Sequence, residues 1–153
     1  MSRRLLLIAH DPSPNLQRLR QALMAGASAQ IPAVQTRFTP ALQAEPEAVL
    51  EAHGLILLTP ENLGYMSGGM KDFFDRCYYP LLERTQGMPY ALVIRAGSDG
   101  TGTRRAVESI CSGLKWKPVQ APLTCRGEWG EDFVAQCREL GETMAAGLEA
   151  GIF

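Results

Sequence analysis

The sequence predicts a three-layer α/β fold: a five-stranded parallel sheet with helices on both faces and the strand order 2-1-3-4-5. Three observations carry this. Short apolar runs alternate with amphipathic stretches from one end of the chain to the other, the signature of successive β-α units. The runs Arg4–Ala9, Gly54–Leu58 and Tyr90–Ile94 are the most uniformly apolar, as expected of strands buried on both faces. Right-handed crossovers leave few arrangements, and these three runs then take the centre of the sheet. The switch point falls between the first and third strands. In open sheets of this kind, ligands bind there, outside the carboxyl ends of the strands.

Each element follows in order. Arg4–Ala9 is the first strand. The stretch Met1–Ala9 imitates a signal peptide, but its apolar part is short and His10-Asp11-Pro12 follows at once, so a buried strand is expected. Asn15–Met24 is a helix with Leu16, Leu19, Leu23 and Met24 at core spacing. Ala33–Phe38 is a weaker strand and Glu45–Ala52 a short helix. Gly54–Leu58 is the third strand. Met70–Leu82 is a helix burying Met70, Phe73, Phe74, Cys77 and Leu81. Tyr90–Ile94 is the fourth strand, and Arg104–Leu114 a helix burying Val107, Ile110, Cys111 and Leu114. Val119–Cys125 is a poorer strand, broken by Pro122 and placed at an edge. Phe133–Leu148 is the last helix, burying Phe133, Cys137, Leu140 and Met144. With no repeat or linker, residues 1–153 read as one domain.

Composition narrows the function. The net charge is −1, so no whole-molecule field draws in nucleic acid or an anionic membrane. No apolar run approaches the roughly 20 residues of a membrane span. The four cysteines, Cys77, Cys111, Cys125 and Cys137, form no C-x-x-C pair and read as reduced thiols in a cytoplasm. The two histidines, His10 and His53, are too few and too scattered for a zinc site.

Three loops converge on one sheet edge in this topology. The first is His10–Leu16. Ser13 is a good N-cap and Pro14 fits the first helical position, which leaves the N–H groups of Asn15, Leu16 and Gln17 as an anion site suited to phosphate. The bland alternative is a helix cap and nothing more. The second loop, Thr59–Gly69, follows the third strand and runs long for a β-α connection. Gly64, Gly68 and Gly69 permit unusual backbone shapes, and Tyr65-Met66 reads as an exposed pair. The third, Ala96–Thr103, carries Gly97, Gly100 and Gly102, a spacing only loosely like a dinucleotide fingerprint. None of the loops holds a nucleophile–base–orienter group. The arrangement suits a flat cofactor that brings its own chemistry. Outside the loops, His53 falls at the opposite edge and reads as structural. Asp72, Asp75 and Arg104-Arg105 read as surface charges, and Trp116 and Trp129 as core or partner-facing residues.

The stretch Thr59–Arg76, TPENLGYMSGGMKDFFDR, resembles the flavodoxin-like superfamily. It is most similar to the NAD(P)H-dependent FMN reductases and the flavodoxin-like quinone reductases. There a strand ends in Pro, then come a Gly-containing loop, small residues, and Met/Leu-Lys-x-Phe-hydrophobic-Asp. The resemblance implies FMN as cofactor and NAD(P)H as electron donor, with hydride passing through the flavin to a quinone-like or other small acceptor. It implies a phosphate on Ser13, Asn15, Leu16 and Gln17; His10, at the end of the first strand, reads either as a border of that site or as a hydrogen-bonded neutral histidine. It implies a ring between Asn62, Leu63, Gly64, Tyr65, Met66 and Ser67 on one side and Ala96, Gly97, Ser98, Asp99, Gly100 and Gly102 on the other, with Pro60 and Glu61 at the strand end as further cofactor-site candidates. Donors from Ser98 to Gly100 would meet the ring's N1/O2 edge. The first loop departs from the family's S-x-T-G-N-T pattern: Asp11 stands where Ser is common, Pro14 replaces Gly and Leu16 replaces the last Thr. An Asp11 carboxylate facing the phosphate would repel it. Two other readings stay open: a one-electron flavodoxin carrier, and a flavin-free protein that binds a partner. The expected partners are a small-molecule acceptor and, where the acceptor pocket forms between subunits, a second copy of the chain in a homo-oligomer. Neither nucleic acid nor membrane is expected.

Overall fold

Strict alternation of buried side chains builds the two cores. A computed structural model describes residues 2–29 and 33–153. Met1, at the head of the signal-peptide-like stretch, lies outside them. In β1 (Arg3–Ala9), Leu5, Leu7 and Ala9 face one side of the sheet while Leu6 and Ile8 face the other, and all five are buried. The same division runs through β3 (Gly54–Asn62) and β5 (Pro89–Ala96). This two-sided burial is why these runs carry no polar alternation. The helices α1 (Pro14–Ser28) and α5 (Glu131–Ala150) cover one face with Leu16, Leu19, Leu23, Cys137, Leu140 and Met144. The other face takes α2 (Pro46–Leu50), α3 (Gly68–Leu81) and α4 (Thr101–Gly113), which bury Val49, Met70, Phe73, Phe74, Cys77, Leu81, Val107 and Cys111.

The sheet order is β2 (Val34–Pro40), β1, β3, β5 and then an edge shared by two short strands, β6 (Lys117–Pro118) and β7 (Leu123–Arg126). All these pairings are parallel. The predicted order 2-1-3-4-5 is therefore the observed one, with the fifth strand split. The split has a local cause. Pro118 and Pro122 have no N–H to give the ladder, and between Pro118 and Leu123 the chain leaves the sheet, which only an edge tolerates.

The structure also corrects the periodicity reading. Met24, Ile110 and Phe133 are only half-buried at the margins of the two cores. The helices α3 and α4 start earlier than predicted, so Gly68, Gly69 and Gly102 are helical residues rather than loop residues. All four cysteines are free and buried, and burial pushes the Cys77 thiol up to about 11. Trp116 lies in the core with its indole N–H 2.8 Å from Thr85 Oγ1. Among the described residues, no helix is long and apolar enough to cross a membrane, and no cluster of His, Cys, Asp or Glu could hold a metal ion.

Candidate functional site at the carboxyl edge of the sheet

The first loop ends at the N-terminus of α1, held beside the ends of β1 and β3 by the bond from His10 N to Leu58 O. Ser13 is the N-cap: its Oγ accepts from Leu16 N at 3.2 Å, and Pro14 occupies the first turn. Of the three amides predicted to be free, two are engaged. Leu16 N donates to Ser13 Oγ, and Gln17 N to Ser13 O at 3.0 Å. Asn15 N–H keeps no protein partner among the described residues. The carboxylate of Asp11 does not face this turn's N–H groups as a free charge. Arg20 Nε reaches Asp11 Oδ2 at 2.7 Å, and the Arg20 guanidinium itself stacks 4.5 Å from the Phe38 ring centre. The pairing turns Asp11 toward the second turn of α1 and β2. Replacing Asp11 with Ser is therefore expected to leave the affinity for an anion at α1 unchanged. A titration of wild type and variant checks this, and tighter binding by the variant would contradict it.

The second loop is not a floppy connection. Strand β3 continues through Pro60, Glu61 and Asn62, and β4 (Tyr65–Met66) pairs back on it antiparallel, Glu61 with Met66 and Asn62 with Tyr65. Leu63 and Gly64 form the two-residue turn, both at positive φ, 54° and 73°. That is the tight hairpin geometry whose twist matches the flanking strands. Glycine suits this position; Leu63 adopts it with its side chain wholly in solvent. Alternation then splits the predicted exposed pair: Tyr65 stands out while Met66 is 2 % exposed. After the hairpin, Ser67 caps α3. Its Oγ accepts from Met70 N at 3.2 Å, lies 2.9 Å from His10 Nδ1 and receives Thr59 Oγ1 at 3.2 Å, while Ser67 N donates to Thr59 Oγ1.

The third loop meets the second through one side chain. Glu61 Oε1 accepts from Ser98 N at 2.8 Å, and Oε2 accepts from Gly100 N at 2.9 Å. These are the very donors predicted to face a ring edge. Gly100, at φ 73°, is the N-cap of α4. Asp99 adds an Asx cap: its Oδ1 accepts from Thr101 N at 3.0 Å, and that bond holds its carboxyl below the ordinary range. Below the hairpin turn, Gly102 passes so close to the Gly64 carbonyl that a Cβ would overlap its oxygen.

The structure thus brings the three predicted loops to one edge but sorts their residues. Ser13, Asn15, Gln17, Glu61, Asn62, Leu63, Gly64, Tyr65, Gly97, Ser98 and Asp99 are exposed or half-exposed. The side chains of Leu16, Pro60, Met66, Ser67 and Ala96 are buried in the fold and are not open to a ligand, and Gly100 is buried too. Gly102 lies beneath the hairpin. His10 is half-buried and engaged with Ser67. Sequence reasoning missed Thr59, the hydroxyl hub beneath the hairpin. Its one signal was a hydroxyl at the end of an otherwise apolar strand. It also missed Arg20 as the partner of Asp11, since no pattern links positions nine apart. His53 sits at the opposite edge as predicted. Its Nδ1 accepts from Arg4 N at 2.9 Å, and burial, with Arg3 and Arg4 nearby, lowers its pKa. Asp72 and Asp75 make surface ion pairs with Arg76 and Lys71.

The family model for NADPH-dependent FMN reductase matches residues 14–129. The chain belongs to the NADPH-dependent FMN reductase family. In this reductase family member, the matched stretch runs from the first turn of α1 through the second and third loops into the β7–α5 connection. No curated protein matches the chain by sequence. Solved structures resemble its fold. A flavodoxin from the domain Archaea superposes with TM-score 0.81 at 14 % identity, covering 95 % of this chain and 99 % of that one. A flavodoxin, WrbA-like protein from Agrobacterium tumefaciens gives TM-score 0.70 at 15 % identity, covering 95 % and 96 %. The flavodiiron protein from Giardia intestinalis gives 0.79 at 13 % identity; the match covers 96 % of this chain but 36 % of that one. At such identities the likeness is one of fold, and the fold is flavodoxin-like.

Proposed function

We propose that the protein is an FMN-dependent NAD(P)H oxidoreductase of the cytoplasm, serving a quinone-like or other small acceptor. The observation that carries this reading is the meeting of a Ser13-capped helix terminus with two ring-side loops at the switch between β1 and β3. The donor chemistry fits FMN at both ends. Asn15 N–H and the exposed polar groups of Ser13 and Asn15 suit a phosphate at the positive end of α1. The Ser98 and Gly100 amides already hold a planar, anionic pair of oxygens, so they suit the acceptor edge of a flat heterocycle. Tyr65, exposed on the hairpin, would flank the ring or the incoming substrate. FMN, when bound, supplies the redox chemistry between NAD(P)H and the acceptor. The chain itself binds, orients and limits water access, and the His10–Ser67 pair takes no part in catalysis because Ser67 is fully buried under the hairpin.

FMN is expected to bind more tightly than riboflavin, because only the phosphate can use the α1 terminus. Fluorescence titration of both ligands checks this, and equal affinities would remove the phosphate assignment. NAD(P)H oxidation by the yellow, reconstituted protein then tests the enzyme reading. One observation favours the flavin-free, partner-binding reading instead: the ring-side amides are occupied by the protein's own Glu61. A colourless protein that FMN cannot reconstitute would support that alternative.

A further inference from the structure

We infer that Glu61 is an internal occupant of the ring-side subsite and an affinity-setting residue: a ligand enters only by displacing its carboxylate from Ser98 N and Gly100 N. The inference rests on the flavin reading above. A carboxylate and the N–C=O edge of a flavin-like heterocycle both present two acceptors in one plane. The two amides are filled one oxygen each, at 2.8 and 2.9 Å, so a ring edge and Glu61 compete for the same donors. Among the described residues Glu61 makes no ion pair, so its charge is met by these N–H groups and the N-terminus of α4 rather than by a cation that would hold it elsewhere. The carboxylate is therefore bound by the site itself.

The closed arrangement carries its own costs. Leu63 is held at φ 54° with its apolar side chain in solvent. Thr103, in the turn of α4 against which the hairpin packs, is fully buried, and its hydroxyl has no partner. The first cost lies in the hairpin that Glu61 ties to the third loop, the second in the turn of α4 beneath it.

The test compares wild type with Glu61→Ala and Glu61→Gln. Without FMN, amide hydrogen exchange at Ser98 and Gly100 is expected to quicken in Glu61→Ala. FMN is expected to bind that variant about tenfold more tightly, roughly the net worth of one charge-assisted hydrogen bond no longer given up. Glu61→Gln keeps one acceptor oxygen and should fall between; it carries the test if the alanine variant does not fold. Wild type that binds FMN beside variants that bind it equally or more weakly would overturn the inference alone, making Glu61 a support for the loop. If wild type and variants all fail to bind FMN, the flavin reading falls and this inference with it.

Discussion

Phe73→Ala is expected to remove about 3–5 kcal/mol of stability, the range for deleting a fully buried phenyl ring. Phe73 is 0 % exposed and sits in the middle of the buried stripe of α3, its ring centre 5.1 Å from that of Phe74. It belongs to the same buried cluster as Leu6 and Ile8 of β1, Leu55 and Leu57 of β3 and Leu92 and Ile94 of β5, strands that are paired on both sides and cannot readily collapse into a gap. A domain of ordinary stability holds roughly 5–15 kcal/mol, so the variant would be near the threshold for folding. Urea unfolding followed by circular dichroism gives the value. A loss under about 1 kcal/mol would mean that the core relaxes around the gap. Because Ser67 at the head of the same helix anchors the hairpin, a milder Phe73→Leu variant should keep the hairpin and the third loop in place.

Gly102→Ala is expected to destabilise the protein by about 1–3 kcal/mol or to lift the hairpin off α4. The sign is the informative part. In a helix, Ala normally improves on Gly by about 1 kcal/mol. Here the added methyl group would overlap the Gly64 carbonyl oxygen, a backbone atom that cannot rotate aside. If the hairpin yields instead, Glu61 loses its hold on Ser98 and Gly100, and those amides exchange faster. Gly97→Ala is the control, since nothing lies within 4 Å of its added Cβ. A Gly102→Ala protein more stable than wild type, with unchanged exchange at Ser98 and Gly100, would show that the hairpin does not rest on α4.

The elements that were legible had strong local signals. Continuous apolar runs marked β1, β3 and β5, because parallel strands buried on both faces have no room for polar alternation. Ser13-Pro14 marked the start of α1 and the spacing of Met70, Phe73, Phe74, Cys77 and Leu81 marked α3, because caps and helical faces are set within a few residues. The second loop was less legible. An eleven-residue Gly-rich stretch gives no sign that Asn62-Leu63-Gly64-Tyr65 will close as a hairpin with a leucine at positive φ, since a non-glycine residue is rare there. Helix starts at Gly68 and Thr101 were missed for a similar reason: glycine reads as a break, and only packing against the hairpin explains Gly102.

By itself the sequence determined the layers, the order of the sheet and the edge at which the three loops gather, because burial pattern and chain direction are encoded within each short segment. The tertiary structure alone decided what those loops present. Asp11 is turned to Arg20, Ser67 is buried under the hairpin, and Glu61 fills the donors of Ser98 and Gly100 from 37 and 39 positions away. A side chain's partner across such a separation depends on how strands and helices have docked, and no local pattern of residues records it.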